Sequence, residues 1–169
     1  LCQAVASNRI DVQMEAATAL GKLGSKKAVP ALLNALNDAA PGVRSRAASS
    51  LAELGAEEAL PPLKKQLDDS SLQAAGYAVA ALAKLMGHDA CGLLKDLVQD
   101  HGSNFIRCEA LAVLAGLNHE LALALALKCL DDPKKDVIIS ACKILGRLND
   151  LEAAPELEKL SQKGPSASV

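Results

Sequence analysis

The sequence predicts an all-α fold of about five repeated helix pairs, and two observations carry that prediction. The first is composition. In 169 residues, 32 Ala and 30 Leu stand against no Trp, one Tyr (Tyr77) and one Phe (Phe105), which is the vocabulary of close-packed helices and not of a sandwich or barrel. The second is self-similarity. The template Val12-Gln-Met-Glu-Ala16-Ala17-x-x-Leu20-x-x-Leu23-Gly24 returns four more times, at spacings of 31, 31, 32 and 31 residues, the extra residue falling in the turn around Asp100 to Phe105.

The first helix of each unit follows from the columns of this template. They read Val12, Val43, Ala74, Ile106, Val137; then Ala16, Ala47, Ala78, Ala110, Ala141; then Leu20, Leu51, Leu82, Leu114, Leu145; then Leu23, Leu54, Leu85, Leu117, Leu148. Offsets of 0, 4, 8 and 11 fall on one side of an α-helix, so each template is an amphipathic helix of about 13 residues. Alanine at the middle of every copy lets a neighbouring helix approach closely, and five such residues predict the same helix contact made five times. Gly24, Gly55, Gly87 (after Met86), Asn118 and Asn149 follow the last Leu, and both residue types tolerate the left-handed conformation that stops a helix.

The second helix is marked by Val29-Pro30-Ala-Leu32-Leu33-x-x-Leu36, with copies at Leu60-Pro61-Pro62-Leu63 and Ala154-Pro155-x-Leu157. Proline suits a helix's first turn because its missing N–H would be unbonded there in any case. Gly92 and Ala124 hold the Pro position in the third and fourth copies. The fourth second helix, His119 to Leu130, alternates Leu and Ala like a strand, but its register and composition predict a helix. In the same register Leu1 to Val5 reads as the end of a second helix whose beginning is missing, so the natural protein is expected to continue upstream. The units fall at 9–39, 40–70, 71–102, 103–133 and 134–162, after a truncated repeat at 1–8, and 163–169 reads as a polar tail or linker.

Charge and cysteine content narrow the function classes. Eighteen basic against twenty acidic residues give a net charge of −2, which argues against a dedicated nucleic-acid or anionic-membrane surface. The longest uncharged stretch, Ser70 to Ala83, is too short and too polar to span a bilayer. Cys2, Cys91, Cys108, Cys129 and Cys142 are odd in number with no Cys-x-x-Cys, so they suggest neither a disulfide framework nor a zinc clip, but reduced thiols in a cytoplasmic or nuclear compartment.

Paired helices of about 31 residues with Val-x-x-x-Ala-Ala-x-x-Leu-x-x-Leu-Gly and a Pro-Leu second helix resemble HEAT repeats of the short kind found in phycobilisome chromophore lyases. The resemblance covers Leu1 to about Gln162. It implies an α-solenoid, with first helices on the convex side and second helices lining the concave side. It also assigns Asp38, Asp69, Asp100 and Asp132, at the ends of successive second helices, to an acidic position of the inter-repeat turn with a capping role. One relative, deoxyhypusine hydroxylase, holds iron with His-Glu pairs in its first helices. The matching positions here are Met14-Glu15, Ser45-Arg46, Gly76-Tyr77, Cys108-Glu109 and Ile139-Ser140, which lack the imidazoles such a site requires. No cofactor and no metal are therefore expected, and His88, His101 and His119 read as polar turn residues.

What remains is binding. The expectation is a non-catalytic scaffold, a monomeric fragment of a longer HEAT-type protein, that recognises another protein or an extended peptide along the ridge of second helices. Two alternatives stand beside it: a lyase-type or hydroxylase-like accessory enzyme holding pigment or metal, and a structural spacer. Counted from the Pro position, the outward column four residues on reads Asn34, Lys65, Asp96, Lys128 and Lys159. In the fourth second helix Leu123, Leu127 and Leu130 are assigned to the inner side, which leaves Leu121 and Leu125 outward, with Leu93 of the preceding copy near them. Such an apolar patch marks a partner site, a surface covered by adjoining segments, or a helix rotated from this assignment. Among the thiols, only Cys108 lies on a less buried column and could be reactive.

Overall fold

The computed structural model describes residues 1–7, 9–148, 155, 157 and 158, and among them every regular element is a helix. First helices are α2 (Ile10–Lys22), α4 (Pro41–Glu53), α6 (Leu72–Met86), α8 (Asn104–Leu117) and α10 (Lys135–Leu148). Between them run the second helices α1 (Cys2–Val5), α3 (Val29–Ala35), α5 (Leu60–Lys65), α7 (Ala90–Asp100) and α9 (His119–Cys129). Pro155, Leu157 and Glu158 are helical, while Asn149, Lys159 and the tail 163–169 lie outside the described residues. No described helix is long and apolar enough to cross a membrane. The chain forms two compact units, Leu1–Leu94 and Lys95–Val169.

The turns follow the local chemistry of the sequence. Gly24, Gly55 and Gly87 adopt φ of +68°, +63° and +56°, a region that costs a side-chain-bearing residue energy. Pro30 and Pro61 sit in the first turn of α3 and α5. Asn118 departs from the expected left-handed stop: its φ is −147°, and its Oδ1 accepts a hydrogen bond from the Leu121 N–H at 2.9 Å, capping α9. A helix that restarts one residue after its predecessor needs an N-cap more than it needs a left-handed turn.

In the first unit α4 packs between α2 and α6, and the small column makes the contact. Ala47, Ala48, Ala74 and Ala78 are buried together with Val43, Leu51, Val79 and Leu82. Gly21 meets α4 so closely that a Cβ there would lie 2.7 Å from Ser50 Oγ and 2.9 Å from Ser50 Cα. Ser50 Oγ also donates to the Ala17 carbonyl at 2.9 Å. In the second unit α10 packs on α8 and α9 over Ile106, Ala110, Leu114, Ala126, Val137, Ala141 and Leu145. The fourth leucine column is less uniform than its sequence: Leu23 and Leu54 both stand just past the ends of their helices, yet Leu54 is buried and Leu23 is 64% exposed.

A polar tie recurs beneath this apolar pattern. Asp38, Asp69 and Asp132 each close a turn by accepting the N–H two residues on, from Ala40, Ser71 and Lys134, at 2.8–2.9 Å. Each also accepts from a side chain 25 residues earlier, on the first helix of the same unit. Gln13 Nε2 reaches Asp38 at 2.9 Å, Arg44 forks onto Asp69 at 2.6 and 2.7 Å, and Arg107 forks onto Asp132. The same donors reach back to the preceding second helix: Gln13 to the Val5 carbonyl, Arg44 to those of Asp38 and Ala39, Arg107 to that of Val98. Arg44 holds the Asp69 carboxyl below the usual carboxylate range. Burial works against the Asp132 carboxylate more than any one neighbour favours it, but the Arg107 guanidinium together with the Lys134 N–H and ammonium outweighs it, and the carboxyl is again lowered.

Three outcomes follow. Ala47→Leu, and Gly21→Ala against Ser50, each overpack a helix contact and lower stability by about 1–3 kcal/mol, whereas Gly92→Ala, whose Cβ would meet nothing within 4 Å, raises it by roughly 0.4–1 kcal/mol; chemical denaturation reads both. Arg44→Ala strands a largely buried carboxylate and costs about 3 kcal/mol. Because the folded-state values of Asp69 and Asp132 are depressed, their contribution is complete above the unfolded carboxylate value of about 4 and is lost as pH falls through the lower folded values. Asp69→Asn keeps the turn acceptor and flattens that acid loss in a thermal-unfolding series taken below about pH 4.

Candidate functional site between the second helices

The polar ties lie under a cleft that recurs wherever two consecutive second helices are held by one. The first is lined by Ser7, Gln13, Ala31, Asn34 and Asp38; the second by Arg44, Pro62, Lys65, Gln66 and Asp69; the third, in the second unit, by Val98, Arg107, Leu125, Lys128 and Asp132. The clefts measure about 240–420 Å³. Their linings come from the same columns: the residue after the Pro position, the one four residues beyond that position, the terminal aspartate, and the tie donor from the first helix. The tie fixes the floor, and the outward column supplies the mouth.

Gln66 completes the second cleft in a different way. Arg44 reaches past the last turn of α3 to Asp38 and Ala39, so the Leu36 carbonyl, which matches those served by Gln13 and Arg107, needs another donor. Gln66 Nε2 supplies it at 2.7 Å. The rest of its buried column is Ala35, Leu97 and Cys129, and Gln66 Oε1 is buried without a hydrogen-bond partner.

The sequence-predicted site residues divide into two groups. Asn34, Lys65, Asp96 and Lys128 are exposed, and Asn34, Lys65 and Lys128 line the three clefts; Lys159 lies outside the described residues. The apolar patch is corrected. Leu125 is only 3% exposed, Leu121 and Leu93 are half-buried, and Leu123 and Leu127, assigned to the inner side, are half-buried as well. The buried face of α9 is Ala122, Leu125, Ala126 and Cys129. The physical reason is a volume exchange: Ala126 stands where the buried Leu32, Leu63 and Leu94 stand in the other copies, and the neighbouring Leu125 side chain fills the room that its three missing carbons leave.

The tie donors themselves, Gln13, Arg44 and Arg107, were not legible as a column, because the remaining copies carry Ala75 and Ile138 there. The signal that finds them is the constant separation of 25 residues to the terminal aspartate. Cys108 is half-buried, and its thiol donates to the Asp136 carbonyl at 3.6 Å. Burial pushes that thiol's pKa up, away from the thiolate a nucleophile needs. The exposed thiol is Cys2. His88 and His119 are exposed, and among the described residues no group of three or more His, Cys, Asp or Glu could hold a metal ion.

The chain is similar to the phycocyanin lyase of Nostoc sp. PCC7120, solved as a complex of CpcE and CpcF, with 27% identity and a TM-score of 0.57 over 91% of this chain and 65% of that one. It thus spans slightly less than two thirds of that lyase chain. An engineered protein matches at 19% identity with a TM-score of 0.51 over 87% of this chain and 77% of its own. Human deoxyhypusine hydroxylase matches at 22% identity with a TM-score of 0.48 over 92% of this chain and 63% of its own. No curated protein matches by sequence. The HEAT-repeat signature itself matches residues 1–83 and 94–169, and with the helix pairs, the small-residue contacts and the aspartate ties already described, the chain belongs to the HEAT-repeat family.

Proposed function

We propose that the chain is a non-catalytic scaffold that binds another protein, or an extended peptide of it, along its second helices. The observation that supports this reading is the separation of roles within each cleft. The charges of Arg44, Asp69, Arg107 and Asp132 are spent on one another, while the mouth carries exposed residues, Asn34, Lys65 and Lys128, that differ from copy to copy. A mouth of that kind selects a partner by pattern along a chain, not by chemistry at one point. The five cysteines are unpaired thiols, in keeping with a reducing, cytoplasmic or nuclear setting. A second reading, a lyase-type accessory subunit, draws on the similarity to the phycocyanin lyase.

Photo-cross-linking in cells separates the two. With a benzophenone side chain placed in turn at Asn34, Lys65 and Lys128, the expected result is one shared cross-linked protein, absent when the probe stands at Arg46 or Lys84 on first helices. Lys65→Glu with Lys128→Glu lowers capture by roughly tenfold or more while the thermal melting curve stays in place, since both side chains are exposed. Equal cross-linking from Arg46 and Lys84 would sink the reading, and a stoichiometric pigment with visible absorption on the purified chain would favour the accessory subunit.

A further inference from the structure

The second cleft holds a polar group that the chain's own contacts leave unused. Gln66 lines this cleft of about 350 Å³ and is only 8% exposed. Its Nε2 donates to the Leu36 carbonyl at 2.7 Å, which sets the orientation of the amide and leaves Oε1 as a buried acceptor to which no described group donates. An unbonded buried acceptor is costly. An apolar residue avoids that cost, and Ala35, Leu97 and Cys129 do so in the same column of the other copies.

The neighbouring polar groups are committed elsewhere. Arg44 places its guanidinium on Asp69 and on the carbonyls of Asp38 and Ala39, and the Asp38 carboxylate accepts from Gln13 and from the Ala40 N–H. The formal charges on the cleft lining cancel, Asp38 and Asp69 against Arg44 and Lys65. A neutral cleft with one unused acceptor calls for a neutral donor, because an ammonium or guanidinium buried against a single amide oxygen does not recover its hydration. The burial of the acceptor excludes the backbone N–H of a passing strand, which carries chain on both sides. A side chain tipped with N–H groups on a thin stem can reach it. The small neutral side chain of that kind is the carboxamide of Asn or Gln, whose own oxygen can accept from the Lys65 ammonium at the mouth.

We infer that the second cleft is a carboxamide subsite, in which an Asn or Gln side chain of the bound protein segment donates to Gln66 Oε1. The subsite rests on the proposed scaffold reading and adds a fixed point to it. Mouth residues present a pattern, but a segment lying on repeated clefts can slip by one repeat and still meet much of it. A buried acceptor in one cleft, with Ala35 and Cys129 in its place in the other two, penalises the slipped register. Because the oxygen is covered in the free chain, the Gln66 amide turns toward the cleft as the carboxamide enters.

Nitrogen–proton correlation NMR of the full chain tests this with the capped peptide acetyl-Gly-Ala-Asn-Ala-Gly-N-methylamide as probe. The expected result is a saturable shift of the Gln66 side-chain N–H signals and of the Lys65 amide. The same peptide with Leu in place of Asn should bind roughly tenfold more weakly or worse, and Gln66→Leu, read at the Lys65 amide, should erase the preference between the two peptides. Leu97 shows that the column accommodates leucine, and an unchanged melting curve verifies that the variant is folded. No saturable shift, equal binding of the two peptides, or a preference that survives in Gln66→Leu would overturn the inference. Photo-cross-linking from Lys65 in the Gln66→Leu background separates this failure from that of the scaffold reading. Capture that persists undiminished removes the subsite and leaves the scaffold; absence of capture by the parent chain tells against the scaffold alone, since the peptide titration needs no cellular partner.

Discussion

The carboxylate that ends three of the second helices, at Asp38, Asp69 and Asp132, is the constraint on which the local architecture depends. Asp38, Asp69 and Asp132 each satisfy a turn N–H and at the same time receive a donor from the first helix of their own unit. The donor's other bonds go to carbonyls at the end of the preceding second helix, which have no partner inside that helix. One side chain thereby fixes three things: where a unit ends, how its two helices return on one another, and how far apart two consecutive second helices stand. Apolar columns alone would allow those helices to slide, since hydrophobic burial has no direction; hydrogen bonds do.

The tie also has a cost that explains its variations. A buried ion pair must offset the removal of two charges from water, and it does so where a planar guanidinium meets a carboxylate through two bonds, as at Asp69. Gln13 makes a version with a neutral donor on Asp38, and in the second repeat Arg44 leaves the Leu36 carbonyl to Gln66. Gln66 places an amide in a column otherwise filled by Ala35, Leu97 and Cys129. Its nitrogen is used and its oxygen is not, so satisfying one helix end leaves a buried acceptor elsewhere. The third copy forgoes the tie altogether: Ala75 stands in the donor's place, and Asp100 is exposed.

The fold was legible because it is written in burial, and burial repeats. Val43, Ala47 and Leu51 sit in the core for the same reason as Ala74, Ala78 and Leu82, and a period of 31 residues exposes that reason in the sequence alone. The glycine stops were legible because Gly24, Gly55 and Gly87 need a positive φ; Asn118 misled because asparagine serves both to stop a helix and to start one. The cleft was legible only at its mouth. Its floor joins a first helix to the ends of two second helices, and the donor column reads Gln, Arg, Ala, Arg, Ile, so no single residue type marks it. Leu125 was misplaced because a helical wheel counts positions, whereas the core counts volume: once Ala126 takes the place of a leucine, the next leucine is drawn in.

On the proposed reading, structure and recognition are divided between columns. The tie residues are engaged with one another and with backbone, so a partner has little to gain from them without undoing the spacing of the helices. The mouth column carries no such duty. Asn34, Lys65, Asp96 and Lys128 occupy equivalent, exposed positions with different charges, and substitution there alters what is presented without altering how the units stack. That independence is what the proposed scaffold role would draw on for specificity: the aspartate ties keep the clefts alike, and the residues at their mouths make them different.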